Sequence, residues 1–126
     1  MTRRTLLIVA MAALSLGSGS AAAVPEGSGP PQRVTTVQFR FLPENILLPV
    51  GESLIYTNLD FVEHNIVSDR VDEEGKPLFE AQLITTGESA PVARVETLAL
   101  GTYAFYCAPH PWMVGKLEVF DPPPGP

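Results

Sequence analysis

An all-β fold, a sandwich of about seven to eight short strands, is what this sequence predicts, and three observations carry the prediction. Hydrophobicity alternates with a period of two rather than 3.6: Gln38 and Arg40 separate Val37, Phe39 and Phe41, and Lys116 and Glu118 flank Leu117 and Val119. Turn formers recur at Pro43, Gly51, Gly75, Gly87, Gly101 and Gly115, which leaves no room for a long helix. Many short strands with frequent turns are the pattern of a sandwich.

Taken in order, residues 1–23 read as a secretory signal. Thr2-Arg3-Arg4 is a basic start, Leu6 to Leu16 an apolar run, and Ala21-Ala22-Ala23 the small-residue site where cleavage is expected. The run falls short of the roughly 20 apolar residues that span a bilayer. Residues 24–33, VPEGSGPPQR, have almost nothing to bury and are expected as a flexible leader. The folded domain is expected over residues 34–121. Its further strand candidates are Ile46 to Pro49, Glu52 to Asn58, His64 to Ser68, Ala90 to Leu98 and Thr102 to Cys107, with one helical turn near Lys76 to Gln82. Residues 122–126, PPPGP, lack ladder donors at their prolines and form a tail outside any sheet.

Removing 23 of the 126 residues leaves 103, enough for one domain with a modest core. It takes two of the eight Lys and Arg and none of the 14 Asp and Glu, moving the formal charge from −6 to −8. Such a balance argues against nucleic acid or an anionic membrane as partner, because phosphate binding depends on clustered cations. It favours basic protein partners. Asp69, Asp72, Glu73 and Glu74 form one acidic cluster, read first as a solvated loop and second as a docking patch for such a partner.

The rare residues say more. One cysteine excludes an intrachain disulfide, and two histidines exclude any cluster of three or more imidazoles. Beyond the signal the chain holds one Cys, two His and one Met: Cys107, His64, His110 and Met113. Three of them lie in Cys107-Ala108-Pro109-His110-Pro111-Trp112-Met113. Two prolines inside the run exclude a helix interior, each costing about 3 kcal/mol there. The segment is therefore a loop between two strands, able to turn three side chains toward one centre. Tyr103, Phe105 and Cys107 share a strand face, which puts the sulfur on the inner side. Thiolate, imidazole and thioether with one further imidazole make the two-His, one-Cys set with a weak axial Met that suits blue copper. His64 is the only histidine left to complete it.

The sequence resembles the cupredoxins, the small blue copper proteins. The likeness rests on Asn58, Asp60 and His64-Asn65-Ile66-Val67 upstream and on Tyr106-Cys107-x-Pro-His110-Pro-x-Met113-x-Gly115 downstream. The short Cys-x2-His-x2-Met loop looks most like that of the amicyanins, and the plastocyanin and pseudoazurin relatives share the general scheme. The resemblance implies a Greek-key sandwich carrying one type 1 copper that cycles between Cu(I) and Cu(II). It also implies one-electron shuttling between a donor and an acceptor redox protein, by a periplasmic or secreted monomer. His110 is then the partly exposed ligand beside an apolar docking patch. Trp112, next to it at the tip of the loop, serves either in packing or, the reading its place favours, in that patch. Ala108 stands where many relatives carry a hydroxyl residue, so no side chain there can bond to Asn65. Pro109 has no N–H to offer the sulfur, so such a bond must come from elsewhere, for example the Asn65 backbone.

Each ligand taken alone has a plainer reading: a buried inert thiol, a histidine at a strand end, a core methionine. Their joint spacing is what points to copper. The alternative with the same ligands is a periplasmic copper carrier or scavenger without redox partners. A thiol hydrolase with Cys107 as nucleophile is disfavoured by the flanking prolines and the lack of an oxyanion-type motif. Copper enzymes are disfavoured too, since no histidine is spare for a catalytic copper.

Overall fold

Alternating side chains do form strands here, nine of them in two sheets, in the computed structural model, which describes residues 30–125. The strands are β1 (Gln32–Val37), β2 (Arg40–Leu42), β3 (Asn45–Pro49), β4 (Leu54–Asn58), β5 (His64–Ser68), β6 (Glu80–Ile84), β7 (Ser89–Pro91), β8 (Gly101–Tyr106) and β9 (Val114–Phe120). One sheet has the order β2-β1-β4-β7 and the other β3-β9-β8-β5-β6. Non-sequential neighbours, with β1 parallel to β4 and β3 parallel to β9, give the Greek-key connectivity. The expected signal at residues 1–23 and most of the leader lie outside the described residues. β1 begins at Gln32, two residues before the expected domain start.

The core lies between the sheets. Phe41, Leu48, Tyr56, Ile66, Phe79 and Phe105 are each at most 1 % exposed. Phe41 and Phe105 meet edge to face at 4.9 Å, an arrangement worth about 0.5–1.5 kcal/mol beyond the burial itself. Tyr103, Phe105 and Cys107 are all buried, so that strand face points inward as its sequence predicts.

Three local expectations are corrected. The stretch around Val37, Phe39 and Phe41 is a hairpin rather than one strand, because Gln38 (φ 50°) and Phe39 (φ 58°) make a left-handed two-residue turn between Val37 and Arg40. Such φ values cost a non-glycine residue roughly 1–2 kcal/mol. Phe39 is thereby turned outward, off the core. The helical turn expected near Lys76 to Gln82 is instead an extended return into β6, with Val71 bridged to Pro77. Ala90 to Leu98 holds only the end of β7 and a short 3-10 turn at Val95–Thr97, after Arg94 adopts a φ of 75°.

Two pairings bring the chemistry-bearing segments together. β5 runs antiparallel to β8 with Val67 opposite Tyr106, so His64 at the start of β5 and Cys107 just past β8 lie at one end of the sandwich. β8 and β9 form a hairpin from Gly101↔Val119 to Tyr106↔Val114, and residues 107–113 are its loop.

Candidate metal centre

The residues 107–113 loop is closed by its own backbone. The Cys107 N–H donates to the Met113 carbonyl (3.1 Å), the His110 N–H to the Cys107 carbonyl (3.1 Å) and the Met113 N–H to the His110 carbonyl (2.8 Å). Pro109 and Pro111 occupy positions that donate none of these bonds, so the prolines stiffen the turn without breaking it. Cys107 and Met113 are buried, His110 is half-buried, and Trp112 at the tip is 67 % exposed.

The opposite wall is the β4–β5 connection, and Asn58 shapes it. Its side-chain carbonyl accepts from the Thr36 hydroxyl and the Asp60 N–H, both at 2.9 Å. Its amide donates to the carbonyls of Val62 (2.8 Å) and Ile84 (2.9 Å). All four bonding positions of one buried amide are thus filled, which holds the turn that delivers His64. A register shift in the β5–β6 pairing between His64 and Ile66 leaves Asn65 free to reach the loop. Its side-chain oxygen accepts the Ala108 N–H at 2.8 Å, so the brace between the two walls exists and is made by backbone where the side chain of residue 108 offers nothing.

His64, Cys107 and His110 converge. Their donor atoms lie within 4.8 Å of one another: Nδ1 to Nδ1 is 3.1 Å, and the Cys107 Sγ is 3.6 Å from each Nδ1. A triangle with those sides has its centre about 2.0 Å from every corner, the length of a metal–imidazole bond. Two imidazole nitrogens and a sulfur at that separation, drawn from a buried strand end and a stiff loop, fit a soft first-row metal such as copper. Met113 is buried and closes the loop through its backbone, as described.

The electrostatics fit a thiolate that needs a cation. Burial pushes the Cys107 thiol above its ordinary pKa, opposed by the backbone N–H groups of Asn65 and then His110. The Asn65 backbone is the donor that the sequence suggests. A bound metal ion outweighs the burial and deprotonates such a thiol.

Two residues that sequence reasoning did not place in the site surround the histidines. Asp60 Oδ2 lies 2.9 Å from His64 Nε2 and also accepts the Phe39 N–H at 2.8 Å. Burial raises the Asp60 pKa, but bonds from the Phe39 N–H, His64 and the Phe61 N–H outweigh it, and the carboxyl sits below its ordinary range. Phe39 stands edge-on to both imidazoles, at 5.5 Å from His64 and 5.1 Å from His110, and Trp112 lies 5.3 Å from His110. The one available signal was a carboxylate four residues before a histidine.

The acidic cluster is only partly free for docking. Asp72 turns inward on its own loop: one oxygen accepts the N–H groups of Glu74 (2.9 Å) and Lys76 (3.0 Å), and the other pairs with Arg94 at 3.0 Å. Asp69, Glu73 and Glu74 remain exposed.

Comparison with known proteins agrees with this geometry. A family model described as copper binding proteins, plastocyanin/azurin family, matches residues 32–120. The plastocyanin of Mercurialis perennis is 35 % identical over 91 residues, covering 65 % of this chain and 89 % of that protein. Amicyanin-alpha of Methylorubrum extorquens is 28 % identical over 113 residues, covering 86 % and 87 %. Among solved structures, a purple cupredoxin from Nitrosopumilus maritimus superposes with a TM-score of 0.56 at 31 % identity, over 71 % of this chain and 99 % of that one.

Proposed function

Since the chain belongs to the plastocyanin/azurin family of copper-binding proteins, and is a type 1 copper electron-transfer protein, we propose that His64, Cys107, His110 and Met113 hold its one copper. The observation that carries this assignment is the triangle of two Nδ1 atoms and one Sγ with sides of 3.1, 3.6 and 3.6 Å. Copper held there supplies one reversibly transferable electron, and this ligand set is acceptable to both of its oxidation states.

The remaining work belongs to the chain. Cys107 and His64 are fully buried, which excludes water from the donors. The closed loop and the Asn65 brace hold the donors in place before metal arrives, so little reorganisation accompanies a change of charge. His110 reaches toward the surface between Phe39 and Trp112 and is the route by which an electron leaves. Phe61 (94 % exposed) and Leu59, on the connection leading to His64, and Val114, just beyond the loop, extend the apolar face. Its partners are a donor and an acceptor redox protein with basic surfaces, met by a monomer outside the cytoplasm, in the periplasm or secreted. The chain serves as an electron carrier between redox proteins rather than as an enzyme. Rigid, pre-set donors favour this reading over a copper carrier, which must give its metal up.

Adding Cu(II) to the purified protein tests the assignment. An intense visible charge-transfer band with narrow copper hyperfine splitting is expected, and Cys107→Ser should abolish both. A colourless product or an ordinary tetragonal spectrum from the unaltered protein would defeat the reading.

A further inference from the structure

We propose that Asp60 is the positioning residue of the copper centre: its carboxylate fixes the tautomer of His64, anchors Phe39 over both ligand imidazoles, and holds the reduction potential down. The inference rests on the copper reading above and goes beyond it to a residue that touches no metal.

Both backbone contacts of the Asp60 carboxylate, one on each oxygen, are ones in which it accepts. Oδ2 takes the Phe39 N–H at 2.8 Å and faces His64 Nε2 at 2.9 Å, and Oδ1 takes the Phe61 N–H at 3.0 Å. An ionised carboxylate has no proton to give, so the proton of the shared bond sits on His64 Nε2. Nδ1 is then left with its lone pair, directed at the Cys107 sulfur and at His110. In most histidines the tautomer is an open choice. Here a buried carboxylate decides it before any metal binds.

The same oxygen serves a second purpose. Phe39 is a bulky residue held at a φ of 58°, a conformation seldom adopted outside glycine, asparagine and aspartate. Its N–H bond to Asp60 secures that turn, and its ring then lies edge-on to both imidazoles and 6.3 Å from Trp112. The Asp60 N–H in turn donates to Asn58, so the carboxylate is seated on the buried hub of the β4–β5 connection. One anion therefore ties the hairpin, the ligand and the hub together.

Charge gives the direction of the effect. A carboxylate bonded to the far nitrogen of a ligand imidazole makes it a stronger donor, and a nearby negative charge favours the more positive metal state. Both lower the reduction potential.

Three measurements test the proposal. In the metal-free protein, long-range 1H–15N NMR should find His64 protonated on Nε2, and a proton on Nδ1 overturns the inference whether or not copper ever binds. In the copper-loaded protein, Asp60→Asn should keep an intense visible band, bind Cu(II) about 10- to 100-fold more weakly, and show a raised potential by voltammetry. Asp60→Glu, which keeps the charge, should recover part of the potential. If Asp60→Asn matches the unaltered protein in potential and in affinity within about twofold, the inference fails while the copper reading stands. If the unaltered protein takes up no copper, that reading fails, and the NMR result still decides the role of Asp60.

Discussion

Cys107, His64 and His110 have no understudies, because no other Cys or His exists in the sequence. Replacing any one of them with Ala should remove the intense visible band, as absorption titration with Cu(II) will read. Met113 differs in kind. In the proposed ligand set its thioether would hold copper only weakly, so Met113→Leu is expected to keep the colour while the potential measured by voltammetry rises. The buried Asn58 makes the sharpest stability prediction at this scale. Asn58→Ala leaves the Val62 and Ile84 carbonyls, the Thr36 hydroxyl and the Asp60 N–H without their partner. Each buried group so stranded costs about 1–3 kcal/mol. Chemical denaturation should show a loss of at least about 2 kcal/mol, since some of the four will find water.

At the scale of elements, β9 and the loop at residues 69–79 each support a prediction. A Cβ on Gly115 would lie 2.4 Å from the Phe105 ring and 2.9 Å from the Glu44 carbonyl oxygen, and backbone cannot yield as a side-chain tip does. Gly115→Ala is therefore expected to lower the melting temperature, at a cost of about 1–3 kcal/mol typical of overpacking. In the loop, the Lys76 N–H bond, followed by Arg94 and the Glu74 N–H, holds the Asp72 carboxyl below the ordinary aspartate range. A depressed folded-state pKa adds stability that is complete above the unfolded value and is lost as pH falls through the lower one. Asp72→Asn should thus narrow the gap between denaturation midpoints measured at pH 5 and at pH 3.

Legibility in the sequence follows the same division. β5 starts and stops where its alternation does, and the 107–113 loop was readable because proline spacing excludes a helix. The β1–β2 hairpin was not, since Gln38-Phe39 carries no glycine or asparagine to announce positive φ. What holds it is Asp60, a contact 21 residues away in sequence, which no local pattern can reveal. The site divides likewise: three of the proposed ligands sit within seven residues, while Asp60, visible in the sequence four residues before His64, shows its contact with that imidazole only when the β4–β5 connection is folded.

The molecule as a whole carries a formal charge of −6, with Asp69, Glu73 and Glu74 exposed. Long-range attraction should speed its encounter with basic partners and fade as salt shortens the screening length, which is about 8 Å at physiological ionic strength. Stopped-flow electron transfer to a basic redox protein should slow as salt is added, and a rate indifferent to salt would count against electrostatic docking. The parallel pairs β1–β4 and β3–β9 bear on how this chain reaches its fold at all. Asn45 finds Lys116 and Gln32 finds Leu54 only after long stretches of chain are drawn in, so loop closure is costly before any contact rewards it. High contact order of this kind places all-β chains in the millisecond-to-second range of folding times. Cys107, His110 and Met113 are neighbours throughout that search, whereas His64 reaches them only through the pairing of β5 with β8. A complete donor set therefore reports the pairing of two distant strands and not merely the shape of one turn.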